Sequence, residues 1–387
     1  MKQIALLSLT DPFSLPQKGG KNDIRTRILA LSRVQDLALD LYVICDPKDR
    51  RMPVDLKKYS IRNLYCYNIR SANPLFLFSG LPISVKRRFL DGMACELKKH
   101  SYDAIIYEGE YMAPYRLDHI TDASCHIIRM HNIESQYRKE LVASSASIVS
   151  ELAQRQEVTL YKKLEKRLPD AFDYFLFISD DERKAMECSY PSMKEKFLHM
   201  PTVAENIRDS IVVNQSKTVL YYGDLEASNN WFAINWFAEK VFPLIRDNNP
   251  EAILRVCGQI TDEKKKHLES LSSGIQAAGY VNDLEKEINN AALIISPIFH
   301  GAGVKVKLIT ALGCGQIVAA TTKATEGTGL TNGIHLFTSD DPAETARFCL
   351  NVIQNRSEYL FLAENGLAYV KEYHSVESQA CLLSSLF

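Results

Sequence analysis

The residues best placed to do chemistry are glycines, lysines and a histidine that follow short apolar runs. Gly301-Ala302-Gly303-Val304-Lys305-Val306-Lys307 comes directly after Ser296-Pro297 and leads into a helical pattern ending at Leu312. Glycines at such a turn let backbone N–H groups approach a phosphate, and two lysines could neutralise a diphosphate. A plain tight turn carrying two solvated lysines has the same local sequence. Gly223 likewise permits close backbone approach, with Ser228 or Asn229 set to cap the helix that follows. Tyr280 and Val281, after Gly279, could flank a flat base or simply pack a loop. Nearer the N-terminus, Gly19 and Gly20 precede a helix and could admit a phosphate or a hydroxylated acceptor, or form a flexible turn. His131 ends a strand, where an imidazole suits sugar hydroxyls or acid–base work, although a lone strand-end histidine is more often structural. Glu108 and Glu110 hold the corresponding place one strand earlier, and Glu134 follows His131, so these carboxylates are candidates for acceptor hydroxyls or are solvated loop charges.

Other chemistries lack sequence support. The chain has no D-x-D, no Walker-type phosphate loop, no H-E-x-x-H and no G-x-S-x-G. The pairs Asp180-Asp181 and Asp340-Asp341 read as helix-start and turn residues rather than metal ligands. The nine cysteines are scattered without a C-x-x-C pair, which points to reduced thiols in a cytoplasmic protein rather than a disulfide framework or zinc site. With 46 basic and 47 acidic residues among 387, there is no global field for a nucleic-acid partner. The apolar run Ile4–Leu9 is too short for a signal-peptide core and reads as a first strand. No run reaches the roughly 18 apolar residues that span a bilayer.

These residues need elements to hold them. Apolar runs at Ile4–Leu9, Leu41–Cys45, Ala104–Tyr107, His126–Met130 and Tyr174–Ile178 form one series of strands. Val219–Tyr222, Ile253–Cys257, Leu293–Ser296, Ile317–Ala320 and His335–Phe337 form another. Continuous apolar strands alternating with helical patterns indicate parallel sheets covered on both faces, hence an α/β protein of two doubly wound, Rossmann-like halves. Such halves place ligands at the carboxyl ends of their strands. Helices are expected over Ile24–Leu37, capped by Asn22-Asp23, along Val158–Leu168 before Pro169, and over Asn230–Leu244. The polar stretch between Pro201 and Ser216 is read as the linker. The domains are therefore expected at 1–203 and 204–370, with a tail at 371–387 packing back on the first.

Taken together the segments resemble family 4 glycosyltransferases of the GT-B fold, especially bacterial sugar transferases of polysaccharide assembly. The matching text includes Gly19-Gly20 with Arg25, Tyr111 to Tyr115, Arg129 to Glu134, Gly223 with Asn229-Asn230, Trp236-Phe237, Gly279-Tyr280-Val281, Gly301 through Leu312, and Ala320-Thr321 to Glu326-Gly327. No single piece is specific; their order along roughly 300 residues carries the resemblance. It implies an N-terminal acceptor domain and a C-terminal nucleotide-sugar domain, with no cofactor beyond the donor itself. It assigns Lys305 and Lys307 to the donor diphosphate and His131 to the neighbourhood of the sugar. It also implies donor contacts at Gly20, Gly223, Asn229, Tyr280, Val281, Gly301, Gly303, Thr310 and Glu326, and acceptor contacts at Gly19, Glu108, Glu110 and Glu134. Such enzymes are typically retaining and metal-independent, in keeping with the missing D-x-D. One departure stands out: Thr310 occupies the place of a glutamate that usually accepts hydrogen bonds from the ribose, and Ala302 stands at the spacing of its partner glutamate. Glu326, in the next loop, is the available substitute.

Three functions are compatible with this pattern: sugar transfer from a nucleotide-diphosphate donor to a glycan or lipid-linked acceptor, a nucleotide-sugar 2-epimerase, and a non-catalytic GT-B partner or regulator, for which Thr310 is the best argument. A membrane-held acceptor would suit an enzyme at the inner face of the cytoplasmic membrane. Pro74-Leu75-Phe76-Leu77-Phe78 followed by Lys86-Arg87-Arg88 could lay an apolar, basic surface on anionic lipid, or be a buried loop and a solvated helix. The sequence leaves the donor sugar, base, acceptor, linkage and oligomeric state open.

Overall fold

The computed structural model describes residues 1–15, 19–73, 76, 80–143, 148–204, 206–301 and 303–387. The chain divides into two compact units, Met1–Val203 with Val376–Phe387, and Ala204–Ser375.

In the first unit a parallel sheet contains β1 (Lys2–Ser8), β2 (Leu37–Cys45), β3 (Ile61–Asn68), β4 (Ser101–Glu108), β5 (Asp122–Met130), β6 (Tyr174–Phe177) and β7 (Phe197–His199). Their order is β3-β2-β1-β4-β5-β6-β7. Both faces are covered, which is why the inner strands are continuously apolar. On β1, Ile4 and Leu6 join one core with Ile24, Ile28 and Leu31, while Ala5 and Leu7 join the other with Tyr42, Tyr107 and Ile128. The edge strand β3 lacks such a run because its polar residues serve a buried charge. Asp40 on β2, fully buried, accepts from Arg62 Nε at 2.8 Å and Nη2 at 2.6 Å, from Asn63 at 3.0 Å and from the Tyr102 hydroxyl at 3.0 Å.

The first helix, α1 (Gly19–Leu31), begins and ends earlier than the expected Ile24–Leu37. Asp23 does not cap it, because its carboxylate is taken by Arg27 and Arg129. The chain then turns through Asp36, in the left-handed region at φ 54°, into β2. Pro169 sits in the first turn of a separate short helix, Leu168–Ala171, after the long helix Ile148–Glu165. The C-terminal helix Val376–Ser384 belongs to this unit: Ala380 and Leu383 share the core of α1, and Gln379 donates to the Pro201 carbonyl at 2.6 Å.

The second unit repeats the plan with β8 (Thr218–Tyr222), β9 (Ile253–Cys257), β10 (Ile275–Gly279), β11 (Leu293–Ser296), β12 (Val318–Ala320) and β13 (Phe337–Thr338), ordered β10-β9-β8-β11-β12-β13. All ten apolar runs named from sequence carry strands. Helix α2 (Ser228–Trp236) continues through a π turn at Phe237–Val241 into Phe242–Asn248. Ala227, not Ser228 or Asn229, stands at its N-cap, and the Asn229 side chain turns onto the Asn230 N–H instead. Helix α3 (Val306–Gly313) packs its apolar face, Leu308, Ile309 and Leu312, beneath the sheet. The polar stretch after Pro201 runs along this unit, with Arg208 and Val212 donating to the carbonyls of Gly313 and Gly315 at 2.9 and 3.0 Å.

Pro74, Leu75, Leu77 and Phe78 lie outside the described residues. Arg87 donates to the Arg70 carbonyl at 2.8 Å, and Arg88 to the carbonyls of Leu9 and Ser84 at 2.9 and 3.0 Å, so these two guanidinium groups are engaged with backbone rather than freely solvated. Among the described residues no helix is long and apolar enough to cross a membrane.

Candidate functional site

Three adjacent strands of the second unit, β8, β9 and β10, end at or just before a glycine, and these glycines lie side by side. The Gly223 N–H donates to the Cys257 carbonyl at 3.0 Å, and the Gly258 N–H to the Gly279 carbonyl at 2.8 Å. Gly258, which the sequence reading passed over, has φ 139°, and a Cβ built there would stand 1.8 Å from the Gly223 carbonyl oxygen. Only a residue without a side chain fits. Gly258→Ala is therefore expected to push the Gly223 loop off its strand ends. A fall in melting temperature would be the outcome; an unchanged melting temperature would show that the loop tolerates the shift.

Next to this platform sit two ammonium groups. Lys307, in the first turn of α3, donates to Asn230 Oδ1 at 2.9 Å and to the Tyr221 hydroxyl at 3.2 Å, and lies 4.7 Å from the Tyr221 ring centroid. It stands so close to Gly223 that a Cβ there would be 3.4 Å from its Nζ. Among the described residues no carboxylate lies within ion-pair distance of Lys307. Burial, with Lys305 adding repulsion, pushes its pKa down to about 7. Lys305 donates to the Gly301 and Gly303 carbonyls at 2.7 and 2.8 Å, which folds the glycine loop around its ammonium. Asn229 closes the group, its Nδ2 being 3.5 Å from a Cβ built on Gly301. Gly223, Asn229, Gly301, Gly303, Lys305 and Lys307 are thus brought together, and Asn230 and Tyr221 join them. A partly buried cation with polar, uncharged neighbours and a second cation beside it has no counter-charge among the described residues, and an anion would supply one.

The remaining C-terminal candidates are more scattered. Tyr280 is 79% exposed beside Gly279, while Val281 packs against the core containing Leu308. Thr310 is partly buried on α3. Glu326 is exposed and paired with Lys323 at 2.6 Å, so it is held by a neighbour on its own turn. Ala302 lies outside the described residues.

In the first unit His131 follows β5 and is held by a buried network. Its Nε2 lies 2.8 Å from Glu108 Oε2, and its Nδ1 lies 3.9 Å from Asp23 Oδ2. Arg27 bridges Asp23 and Glu108, and Arg129 donates to Asp23 at 3.2 Å and to the Met200 carbonyl. Burial alone would raise the carboxyls of Asp23 and Glu108, but Arg129, Arg27 and His131 outweigh it at Asp23, and Arg27 and His131 at Glu108, holding both below the usual carboxylate range. Glu108 is fully buried with its oxygens given to Arg27 and His131. It is therefore not a solvated loop charge, and it holds the imidazole by a hydrogen bond. In the sequence Asp23 reads only as a helix cap, Arg129 only as the start of the Arg129–Glu134 segment, and Arg27 carries no signal; their pairing spans 4 and 106 residues.

Glu110 and Glu134 are also buried, at 1% and 3% exposure, so neither is a solvated loop charge. Glu110 accepts from the Glu134 N–H at 3.3 Å, and burial with the Glu165 and Glu134 charges raises its carboxyl well above the ordinary range. Gly19 and Gly20 form the first turn of α1, and a Cβ at Gly20 would meet nothing within 4 Å.

Residues 216–355 match the family described as glycosyl transferases group 1, so the C-terminal unit carries a glycosyltransferase domain. Among solved structures, sucrose-phosphate synthase from Thermosynechococcus elongatus aligns at TM-score 0.68 with 16% identity, over 100% of this chain and 98% of that one. Anabaena HepE in complex with UDP aligns at TM-score 0.64 with 12% identity, over 100% and 99%. The fold is GT-B. A Klebsiella pneumoniae protein described as an uncharacterized 44.6 kDa protein in the cps region is 27% identical over 403 residues, spanning 100% of this chain and 99% of that protein. Within the GT-B plan the glycine platform and both lysines fall in or at the strand ends of the C-terminal Rossmann-like sheet, where this fold class binds ligands.

Proposed function

We propose that the protein transfers a sugar from a nucleotide-diphosphate donor to a glycan or lipid-linked acceptor in bacterial surface-polysaccharide synthesis, with retention of configuration and without a metal ion. The observation that carries this reading is Lys307, a partly buried cation beside a glycine platform with a second lysine and no carboxylate partner among the described residues. In such a transfer the bond from the sugar anomeric carbon to the diphosphate oxygen breaks, and the nucleotide diphosphate leaves with increased negative charge. The acceptor hydroxyl oxygen bonds to that carbon and passes its proton to the departing diphosphate oxygen. Lys305 and Lys307 meet the charge on the leaving oxygens, so the role a bridging cation would play falls to two ammonium groups already in place. We assign His131, steadied by Glu108, to contact with the transferred sugar, and Gly19 and Gly20 to its surroundings.

The family match over residues 216–355, the UDP bound by the Anabaena neighbour and the cps-region relative support the donor class and the pathway. A second reading, a GT-B partner without catalysis, rests on Thr310 and on Glu326 being engaged by Lys323. A thermal-shift series with UDP, GDP, ADP, TDP and CMP, with and without EDTA, separates them. Saturation at 100 times the dissociation constant adds about 2.7 kcal/mol of stability. We expect one nucleoside diphosphate to raise the melting temperature regardless of EDTA. No shift with any of them would favour the partner reading, and a shift abolished by EDTA would contradict metal independence.

A further inference from the structure

A second chemically distinct site lies on the first unit, at the β2–β3 edge of its sheet. In the register of these strands Val43 faces Cys66 and Cys45 faces Asn68. Side chains alternate along a strand, so Cys45 and Cys66 lie on the same face as diagonal neighbours. Cys66 is exposed and Cys45 half-buried. Arg51 Nη2 stands 2.7 Å from the Cys66 sulfur, and Arg51 Nε stands 3.1 Å from Asp11, itself 2% exposed. Cys45 in turn points its sulfur toward Asp11 at 4.0 Å. Arg51 is positioned by a two-residue antiparallel ladder in which it pairs with Ser14 and Arg50 with Leu15. A guanidinium is therefore fixed over one accessible sulfur with a second thiol beside it.

We propose that Cys66 is a peroxide-sensitive thiolate with Cys45 as its resolving thiol, a reversible oxidation site on this protein. The Cys66 thiolate attacks one oxygen of a hydroperoxide, the O–O bond breaks, and the other oxygen leaves as water or alcohol after taking a proton. The Cys45 sulfur then attacks the sulfenic sulfur, its proton leaving with the hydroxyl as water, and a disulfide remains; a dithiol reductant restores both thiols. The charges around the pair favour the first step. The neighbouring Cys45 thiol and, against burial, the Arg51 guanidinium lower the Cys66 thiol to about 6, with Asp11 opposing and Tyr67 the other titratable neighbour. Diagonal neighbours on paired strands lie farther apart than the usual disulfide span, so closing the bond requires the end of β3, the edge strand joined on one side only, to shift against β2. Closing the disulfide takes the sulfur from Arg51, whose ladder lies four residues before Gly19.

The test uses the whole protein with iodoacetamide and mass-spectrometric readout of each cysteine, the exposed Cys95, Cys188 and Cys381 serving as internal references. Alkylation of Cys66 should level off by about pH 7, whereas a thiol of ordinary acidity gains about tenfold per pH unit up to about pH 8. At pH 5.5 Cys66 should lead the references by roughly tenfold, the lower nucleophilicity of an acidic thiolate being allowed for. Arg51→Ala should shift the plateau upward, and Arg51→Lys should partly restore it. Hydrogen peroxide should then link the Cys45 and Cys66 peptides in the wild type and leave a trappable sulfenic acid in Cys45→Ser. A Cys66 profile parallel to the references, or a sulfenic acid that never becomes the Cys45 disulfide, overturns the proposal. The outcome is independent of nucleotide binding.

Discussion

Lys307→Ala should reduce donor turnover by on the order of 10³-fold while leaving the fold at least as stable as before. The two halves of this expectation have one cause. Removing a cation aimed at charge that grows as the diphosphate departs costs the transition state more than the ground state, and single groups of this kind are worth about 2.7–4 kcal/mol. In the unliganded protein the same ammonium is a liability. Its pKa falls from 10.5 in the unfolded chain to about 7 in the folded one, because burial and Lys305 oppose the charge. The unfolded chain therefore binds the proton more tightly, so the penalty is full below about pH 7 and is relieved as pH rises toward the unfolded value. Lys307→Met, which keeps the apolar stem, should raise the melting temperature at pH 6 and change it little at pH 10. A variant that unfolds would identify Lys307 as a structural residue and remove it from the donor site. Steady-state rates and a pair of melting curves distinguish the cases.

Asp23→Asn is expected to be the most damaging conservative change in the first unit, at about 3–5 kcal/mol. Asp23 is 5% exposed and sits between the guanidinium groups of Arg27 and Arg129, both fully buried. Neutralising it leaves two buried positive charges with Glu108 as the carboxylate beside Arg27. At about 2–4 °C per kcal/mol for a domain of this size, the melting temperature should drop by roughly 10 °C. The pH dependence carries the same sign. The folded carboxyls of Asp23 and Glu108 lie below their ordinary values, so their contribution is complete above the unfolded carboxylate range and is lost as pH falls below it. The wild type should thus lose stability steeply below about pH 4, and Asp23→Asn should flatten that slope. A melting temperature within 2 °C of wild type, or an unchanged acid slope, would mean that the network tolerates the missing charge.

The sheets were legible in the sequence because strands buried on both faces must be apolar throughout, as Ile4 to Leu7 and Val219 to Tyr221 are. Strand β3 was not, since Arg62 and Asn63 are committed to the buried Asp40 and break the pattern. Strand β7, three residues long, is too short to show periodicity. At the strand ends of the second unit the glycines and lysines could be read because each lies just after a strand, but Asn230 and Tyr221 are tied to Lys307 by contacts 77 and 86 residues away. Gly258 had no local signal beyond one glycine after a strand; the backbone of Gly223 supplies the reason for it. The carboxylates show the opposite error. Glu108 ends a strand, Glu110 lies in a 3-10 turn and Glu134 opens a helix, places where charge is normally solvated, and their arginine, histidine and backbone partners accompany their burial.

The measurement that bears most directly on the donor site is isothermal calorimetry of the nucleoside diphosphate at pH 8, in two buffers of different ionisation enthalpy. With its pKa near 7, Lys307 is mostly neutral in the free protein at this pH, and a bound diphosphate should recharge it. The account predicts uptake of close to one proton on binding, an affinity that weakens as pH rises above about 7, and no uptake in Lys307→Met. Binding with the same heat in both buffers would place the diphosphate away from Lys307 and contradict the assignment.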